Sequence, residues 1–299
     1  MSDSTNEKAA TIAWVGLGAM GVPMARRLAL AGYRVRGYNR SRHAVHDTLP
    51  FPLFASPAKA VEGADLVVLM VRDGLASRAL LWGEGGILSA LSPRQRVINM
   101  STIAPDEARE EELACRERNV SYFDIPVSGS VVPAEKGELL LLAGGDESLR
   151  SQIEAPLSVL GRSLHWFGQA GSGMAAKLAI NFLLGAHMEA IAETLLIGES
   201  LGLDGKTLSE ALLESPLATP FYRIKVPNLL NEDYRKAFSA SLMKKDLDLL
   251  LRELLSRDKV LPEPLSHLRS LYQRIVAKGQ GEKDLSIIQD LLKSDVRGS

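Results

Sequence analysis

Lys177 and Asn181 are the residues of this chain whose types and spacing point most directly to chemistry. They are four apart, so on a helix they share one face, about one turn from each other. The positions around them are otherwise apolar: Met174, Ala175, Ala176, Leu178, Ala179, Ile180, Phe182, Leu183 and Leu184. An ammonium on such a surface is costly to bury without a partner or a task. A lysine placed there can give a proton to a forming alkoxide and stabilise the oxyanion, and an amide one turn on can bond the same oxygen or orient the lysine. The bland alternative is a helix lysine whose stem lies along the apolar face while its head reaches water.

Far upstream, Gly16-Leu17-Gly18-Ala19-Met20-Gly21 follows an expected strand and opens an expected helix. In that context the three glycines read as a dinucleotide loop. The first permits the tight turn, the second lets a pyrophosphate approach the backbone, and the third lets helix and strand pack closely. The phosphates then sit on the helix N-terminus. At the end of the second strand, where NAD binders place a carboxylate for the ribose 2′-hydroxyl, the chain reads Asn39-Arg40-Ser41. No carboxylate is there to repel a 2′-phosphate, and Arg40 offers a planar fork for one, with Arg42 able to share the task. NADPH is therefore expected in preference to NADH.

A third block, Asp124-Ile125-Pro126-Val127-Ser128-Gly129-Ser130, follows the last strand of parallel type. Its hydroxyl and backbone N–H groups lie at the carboxyl edge of the sheet, where open α/β folds bind ligands. Such donors suit a small carboxylate.

The elements that must hold these blocks are legible from hydrophobic periodicity. Short apolar runs at Thr11 to Val15, Asp65 to Val71, Arg96 to Met100, Tyr122 to Val127 and Leu139 to Ala143 read as strands, with Arg34 to Tyr38 alternating and Phe51 to Phe54 weaker. Helical patterns lie between them, from Ala19 to Ala31 and from Pro105 to about Arg118, and Ser56 can cap a further helix. Strands alternating with helices imply an α/β fold with a doubly wound, mostly parallel sheet. After about Gly168 the chain reads as helices only, punctuated at Gly202, Pro216, Pro220, Pro227, Pro262 and Gly279. The expected division is a dinucleotide-binding Rossmann-type domain over residues 11–168 and an all-helical substrate and dimerisation domain over 169–296. A helix from about Ser172 to Leu201 bridges them. Its apolar face suggests packing against a second subunit, so a homodimer or homotetramer is expected.

Composition narrows the classes. At 299 residues, 46% apolar and 24% charged, the chain is an ordinary globular protein. A net charge of −1 gives no electrostatic case for nucleic acid or an anionic membrane. Lys177, Glu189 and Glu193 interrupt the best apolar run too often for a bilayer span. The polar start MSDSTNEKAA reads as a disordered lead-in without the apolar core of a signal peptide, and a cytoplasmic location is expected. The single cysteine, Cys115, fits a reducing compartment and reads as a half-buried helix position. Metal-like spacing is absent among the histidines: His43 and His46 look surface-like, His165 lies on a strand and His187 on the long helix. No metal site is expected. Glu189 and Glu193 read as packing or interface groups.

Four blocks taken together give the chain a family resemblance. Gly16 to Met24, Asp124 to Gly129, Gly171-Ser172-Gly173 through Lys177 to Asn181, and Lys245-Asp246-Leu247 match the β-hydroxyacid dehydrogenase family in order. That family includes 3-hydroxyisobutyrate dehydrogenase and the glyoxylate/succinic semialdehyde reductases. The resemblance implies Lys177 as catalytic acid/base and Asn181 as its substrate-binding neighbour. It implies Ser128 and Gly129 on the substrate carboxylate, Lys245 reaching cofactor and substrate from the helical domain, and Phe238 closing the pocket. Met70, Val71 and Thr102 match cofactor contacts, beside the loop residues Gly16, Leu17, Gly18, Ala19, Met20 and Gly21 and the turn Asn39, Arg40 and Ser41. The chain departs from the pattern at Ser130, where a second glycine is usual, at Val71, where proline is common, and at Leu250, where alanine is common.

The expected function is thus NAD(P)-dependent interconversion of a small β-hydroxyacid and its aldehydo- or keto-acid, driven by NADPH toward reduction. Imine reductases resemble the family but usually lack the lysine. A 6-phosphogluconate dehydrogenase would need a longer chain and a histidine where Ile180 stands. The alternative from another class is an NADP-binding scaffold or sensor without turnover, against which Lys177, Asn181 and Ser128 speak.

Overall fold

The computed structural model describes residues 10–297, so the N-terminal lead-in lies outside the described residues. The chain divides into two compact units, one ending at Lys177 and one beginning at Leu178.

The first unit runs β1 (Thr11–Val15), α1 (Gly21–Leu30), β2 (Arg34–Tyr38), α2 (Pro57–Val61), β3 (Leu66–Leu69), α3 (Gly74–Trp82), α4 (Ile87–Ala90), β4 (Arg96–Asn99), α5 (Pro105–Arg116), β5 (Ser121–Asp124), β6 (Val127–Ser128), α6 (Val131–Lys136), β7 (Leu139–Gly145), α7 (Glu154–Leu160) and β8 (Gly161–Trp166). The sheet order is β2-β1-β3-β4-β5-β7-β6, with β8 on β7. The first five strands are parallel, and β7 runs antiparallel to β5 and β6. The run expected over Phe51 to Phe54 shrinks to one parallel bridge, Leu53 to Gly37, held by the Gly37 and Phe54 amides. Counted as a strand, that bridge gives the order 3-2-1-4-5-6 of a dinucleotide-binding sheet.

The strands read as unbroken apolar runs because both faces of the sheet are covered. Ile12, Trp14, Val68, Ile98 and Phe123 pack on one face, and Ala13, Val15, Val67, Leu69, Val97 and Tyr122 on the other. Cys115 is fully buried in the second layer, not half-buried as its charged neighbours suggest, and burial pushes its thiol up to about 12. The run Tyr122 to Val127 is two strands. Ile125 and Pro126 turn the chain between β5 and β6, and the Ile125 amide reaches back to Asn99.

The second unit holds most of α8 (Ser172–Ser200), then α9 (Gly205–Glu214), α10 (Pro220–Leu230), α11 (Ala240–Ser256), α12 (Glu263–Ala277) and α13 (Ile288–Arg297). By length and hydropathy α8 could span a bilayer. Met188, Ile191, Ala192 and Leu195, spaced along one face, instead join Val226, Met243, Leu247, Leu268 and Tyr272 in a helical core. Pro220 starts α10 behind the cap Thr219, whereas Pro227, read from sequence as a boundary, lies inside the same helix. A proline one turn from a helix end removes a single bond, and here tertiary packing outweighs it: Val226 and Leu229 on either side are buried.

Candidate active site

The cofactor-side residues gather at the carboxyl ends of the parallel strands. Gly16 has φ +103°, and a Cβ there would overlap the Met70 carbonyl, while a Cβ on Gly21 would overlap the Gly16 carbonyl. The turn therefore requires glycine at both positions. Gly18 and Ala19 are exposed, and a Cβ on Gly18 would meet nothing within 4 Å. The loop offers bare backbone and open space at the start of α1, which fits a bound pyrophosphate.

The loop is braced at Leu17. Its N–H donates to Asn39 Oδ1 at 2.9 Å, and its carbonyl lies 2.8 Å from His46 Nε2. The His43 amide donates to His46 Nδ1 at 3.1 Å, so Nε2 carries the proton toward Leu17. His46 is 3% exposed, which corrects its surface-like reading. A short 3-10 turn over Ala44–Thr48 turns it inward, while His43 stays exposed. Asn39 Nδ2 also donates to the Ser41 carbonyl at 2.6 Å, so Asn39 shapes the turn. Arg40 and Ser41 are exposed, and Arg42 is engaged with Asp47 at 2.9 Å.

Met70 and Val71 follow β3. The Val71 amide donates to Ser101 Oγ at 2.9 Å, and the Ser101 amide donates to Asn99 Oδ1 at 2.9 Å, which fixes the segment leading into Thr102. Behind it Glu111 accepts from Ser77, Asn99 and Tyr122. Burial pushes the Glu111 carboxyl up, and those three donors pull it back only in part. Ser128 is half-buried at the end of β6, and Gly129 is exposed.

Lys177 is 8% exposed and Asn181 2% exposed, one turn apart on α8. Asn181 Nδ2 donates to Asp246 Oδ2 at 2.6 Å, and Lys245 Nζ pairs with Asp246 Oδ1 at 2.9 Å. One buried carboxylate thus ties together two residues 64 positions apart in sequence. Because Asn181 spends an N–H on Asp246, its carbonyl oxygen is held at the opposite edge of the planar amide. Phe238 is half-buried. Its amide and that of Ala237 donate to Asp284, which also pairs with Lys225 at 2.6 Å.

Two of these groups have no local sequence signal: His46 lies between Val45 and Asp47, and Asp284 between Lys283 and Leu285. Asp246 could have been found from the Lys-Asp-Leu block itself. The structure also gathers Glu189, Glu193 and His267, with His267 Nε2 2.7 Å from Glu189.

Residues 11–168 match the NAD-binding domain of 6-phosphogluconate dehydrogenase, and residues 171–292 match the family described as NAD-binding of NADP-dependent 3-hydroxyisobutyrate dehydrogenase. The chain is 32% identical to 3-hydroxyisobutyrate dehydrogenase of Pseudomonas aeruginosa over 94% of its own length and 98% of the relative's. The chain belongs to the β-hydroxyacid dehydrogenase family. This dehydrogenase is also 32% identical to the NAD-dependent L-serine dehydrogenase of the same organism, over 94% of its own length and 97% of the relative's. Its fold matches that of Mycobacterium tuberculosis 3-hydroxyisobutyrate dehydrogenase with L-serine, with a TM-score of 0.86 and 29% identity over 95% of this chain and 99% of that one. An imine reductase from Myxococcus stipitatus shares the fold at a TM-score of 0.64 and 21% identity, over 95% of this chain and 99% of that one. The enzyme is an NAD(P)-dependent oxidoreductase of small hydroxyacids, acting on the CH–OH group.

Proposed function

We propose that the enzyme is an NADPH-preferring reductase of small aldehydo- or keto-acids, the reverse direction of a β-hydroxyacid dehydrogenase, with Lys177 as its general acid/base. One observation supports this above the others: a buried lysine stands one turn from a buried asparagine whose amide is oriented by Asp246. Gly16 to Gly21, Asn39 to Ser41, Met70, Val71, Thr102 and Lys245 would hold NADPH, which would supply the hydride for the carbonyl carbon when bound. Lys177 gives its ammonium proton to the carbonyl oxygen as that oxygen gains charge, and Asn181 holds the same oxygen. In the oxidative direction the neutral amine takes the hydroxyl proton. Ser128 and Gly129 hold the substrate carboxylate, Lys245 adds a positive charge, and Phe238 covers the apolar part. Residues 11–168 serve as the cofactor domain and 169–296 as the substrate domain, in a cytoplasmic protein.

The NADPH preference rests on the turn after β2. It has no carboxylate, Asn39 is committed to the loop and Arg42 to Asp47, which leaves Arg40 and Ser41 for a 2′-phosphate. Assembly of copies rests on α8, where Leu183 and Ile197 are each more than half exposed. Light scattering at the monomer mass would remove that part.

The test is turnover with glyoxylate and succinic semialdehyde in reduction, and with L-serine and 3-hydroxyisobutyrate in oxidation, each with both cofactors. The expected result is turnover on at least one pair, with kcat/KM for the NADP form at least about tenfold above the NAD form, a difference of about 1.4 kcal/mol. Tight NADPH binding without turnover on any substrate would favour the scaffold or sensor instead.

A further inference from the structure

Asp124 is the last residue of β5 and is fully buried. Its Oδ1 accepts the Gly171 N–H at 2.8 Å, and its Oδ2 accepts the Met174 N–H at 2.8 Å. Those N–H groups belong to the start of α8, where helix geometry leaves donors without intrahelical partners and the helix dipole favours negative charge. The contact is tight. A Cβ on Gly173 would run into the carbonyls of both Leu142 and Asp124, so the first turn of α8 lies directly against β7 and β5. Met174 is buried in the layer that holds Val15, Val67 and Leu69. In one direction along the chain, only Ile125, Pro126 and Val127 separate Asp124 from Ser128. Through its side chain, the same residue grips the helix turn that precedes Lys177.

We propose that Asp124 is a positioning residue for the proton donor: its carboxylate fixes the first turn of α8 on the end of β5 and so holds Lys177 in place relative to the Ser128–Gly129 turn. This rests on Lys177 being the general acid/base. A surface cap would stabilise the helix without affecting turnover. Asp124 differs because it joins, inside the core, the strand that leads to the carboxylate-binding turn and the helix that bears the amine. A displacement of about 1 Å at a reacting group can cost about 100-fold in rate, so loosening this joint should appear in kcat.

The joint is sensitive to protonation. Burial pushes the Asp124 carboxyl up to about 7, against the pull of the backbone N–H groups of Met174, Gly171 and Gly173. The charged groups and titratable neighbours around it are Tyr122 on β5, Glu111 on α5 behind Tyr122, Arg109 beside Gly171, and Lys177 one turn along. Ionised, Asp124 accepts on both oxygens. Protonated, one oxygen becomes a hydroxyl facing an N–H that cannot accept from it, and the anchor weakens.

Asp124→Asn tests this in the full-length enzyme with NADPH present. The expected result is a kcat lowered about 10- to 100-fold, with substrate KM and NADPH Kd changed less than about threefold. Wild-type kcat should also lose activity on the acid side of about pH 7, a limb absent in the variant. Hydrogen exchange gives a reading independent of turnover: corrected for intrinsic rate, protection of the Met174 amide in the wild type should fall as pH drops through about 7. Should the variant fail to fold, that wild-type exchange profile decides, and flat protection across neutral pH overturns the proposal. A folded variant with lowered Tm but wild-type kcat and pH profile also overturns it, leaving Asp124 a structural cap. Absence of turnover in the wild type would sink the acid/base reading itself, and this proposal with it.

Discussion

The two units bury negative charge in opposite ways. In the first, Asp124 accepts from the backbone N–H groups of Gly171 and Met174, and Glu111 accepts from Ser77, Asn99 and Tyr122, all neutral donors. Burial outweighs those bonds, and both carboxyls are pushed up. In the second, Asp284 has Lys225 at 2.6 Å and Asp246 has Lys245 at 2.9 Å. Burial pushes Asp284 up as well, but Lys225 and the Phe238 and Ala237 amides outweigh it and hold the carboxyl below its usual range. Burial without a cation favours the protonated carboxyl, whereas the lysine beside Asp284 favours its carboxylate. The first unit thus has protonation-sensitive joints near the strand ends. The second has ion pairs whose carboxylates also hold Asn181 and the Phe238 segment.

The largest effect that tests this contrast is at the Lys225–Asp284 pair. Lys225→Met leaves Asp284 buried and uncompensated, and should cost about 3–5 kcal/mol in denaturant unfolding. A loss below about 1 kcal/mol would show that the second unit does not depend on its ion pair. Next comes Asp246→Ala, which frees both the Asn181 amide and the Lys245 ammonium. Losing a charged hydrogen bond of about 1.5–3 kcal/mol predicts a kcat/KM about 10- to 100-fold lower. Unchanged kcat/KM would remove Asp246 from the site.

Smaller is Arg40→Ala. It should raise the NADPH KM about tenfold and leave NADH alone, as expected for one lost charge-assisted contact of about 1.5 kcal/mol. A parallel loss for both cofactors would place Arg40 elsewhere. Smallest is the pH slope. Glu111 has a raised carboxyl, so its contribution to stability is full below the ordinary value of about 4.5 and is lost as pH rises through the folded value. Glu111→Gln should flatten the stability profile above about pH 4.5, and an unchanged slope would mean the carboxyl titrates elsewhere.

The sequence made local features legible and non-local ones obscure. Gly16 to Gly21, the strand runs and the limits of α8 depend on neighbours in the chain, so spacing alone located them. The third strand read at Phe51 to Phe54 keeps only the Leu53 bridge, because pairing depends on Gly37 and not on the run itself. Cys115 and His46 lie deeper than their charged neighbours suggest for a related reason: a helix face and a 3-10 turn bring their side chains inward. Asp124 and Asp246 lie in blocks legible from sequence, but their partners, like those of Asp284, are more than 45 positions away, so spacing does not show what they hold.

The proposed chemistry rests on Lys177 as general acid/base, and turnover of Lys177→Ala is the most direct measurement of that proposal. The variant's kcat should be at least about 100-fold lower than wild type, with NADPH Kd within about twofold, as expected for loss of a general acid/base. Near-normal kcat in a folded, cofactor-binding variant would contradict it.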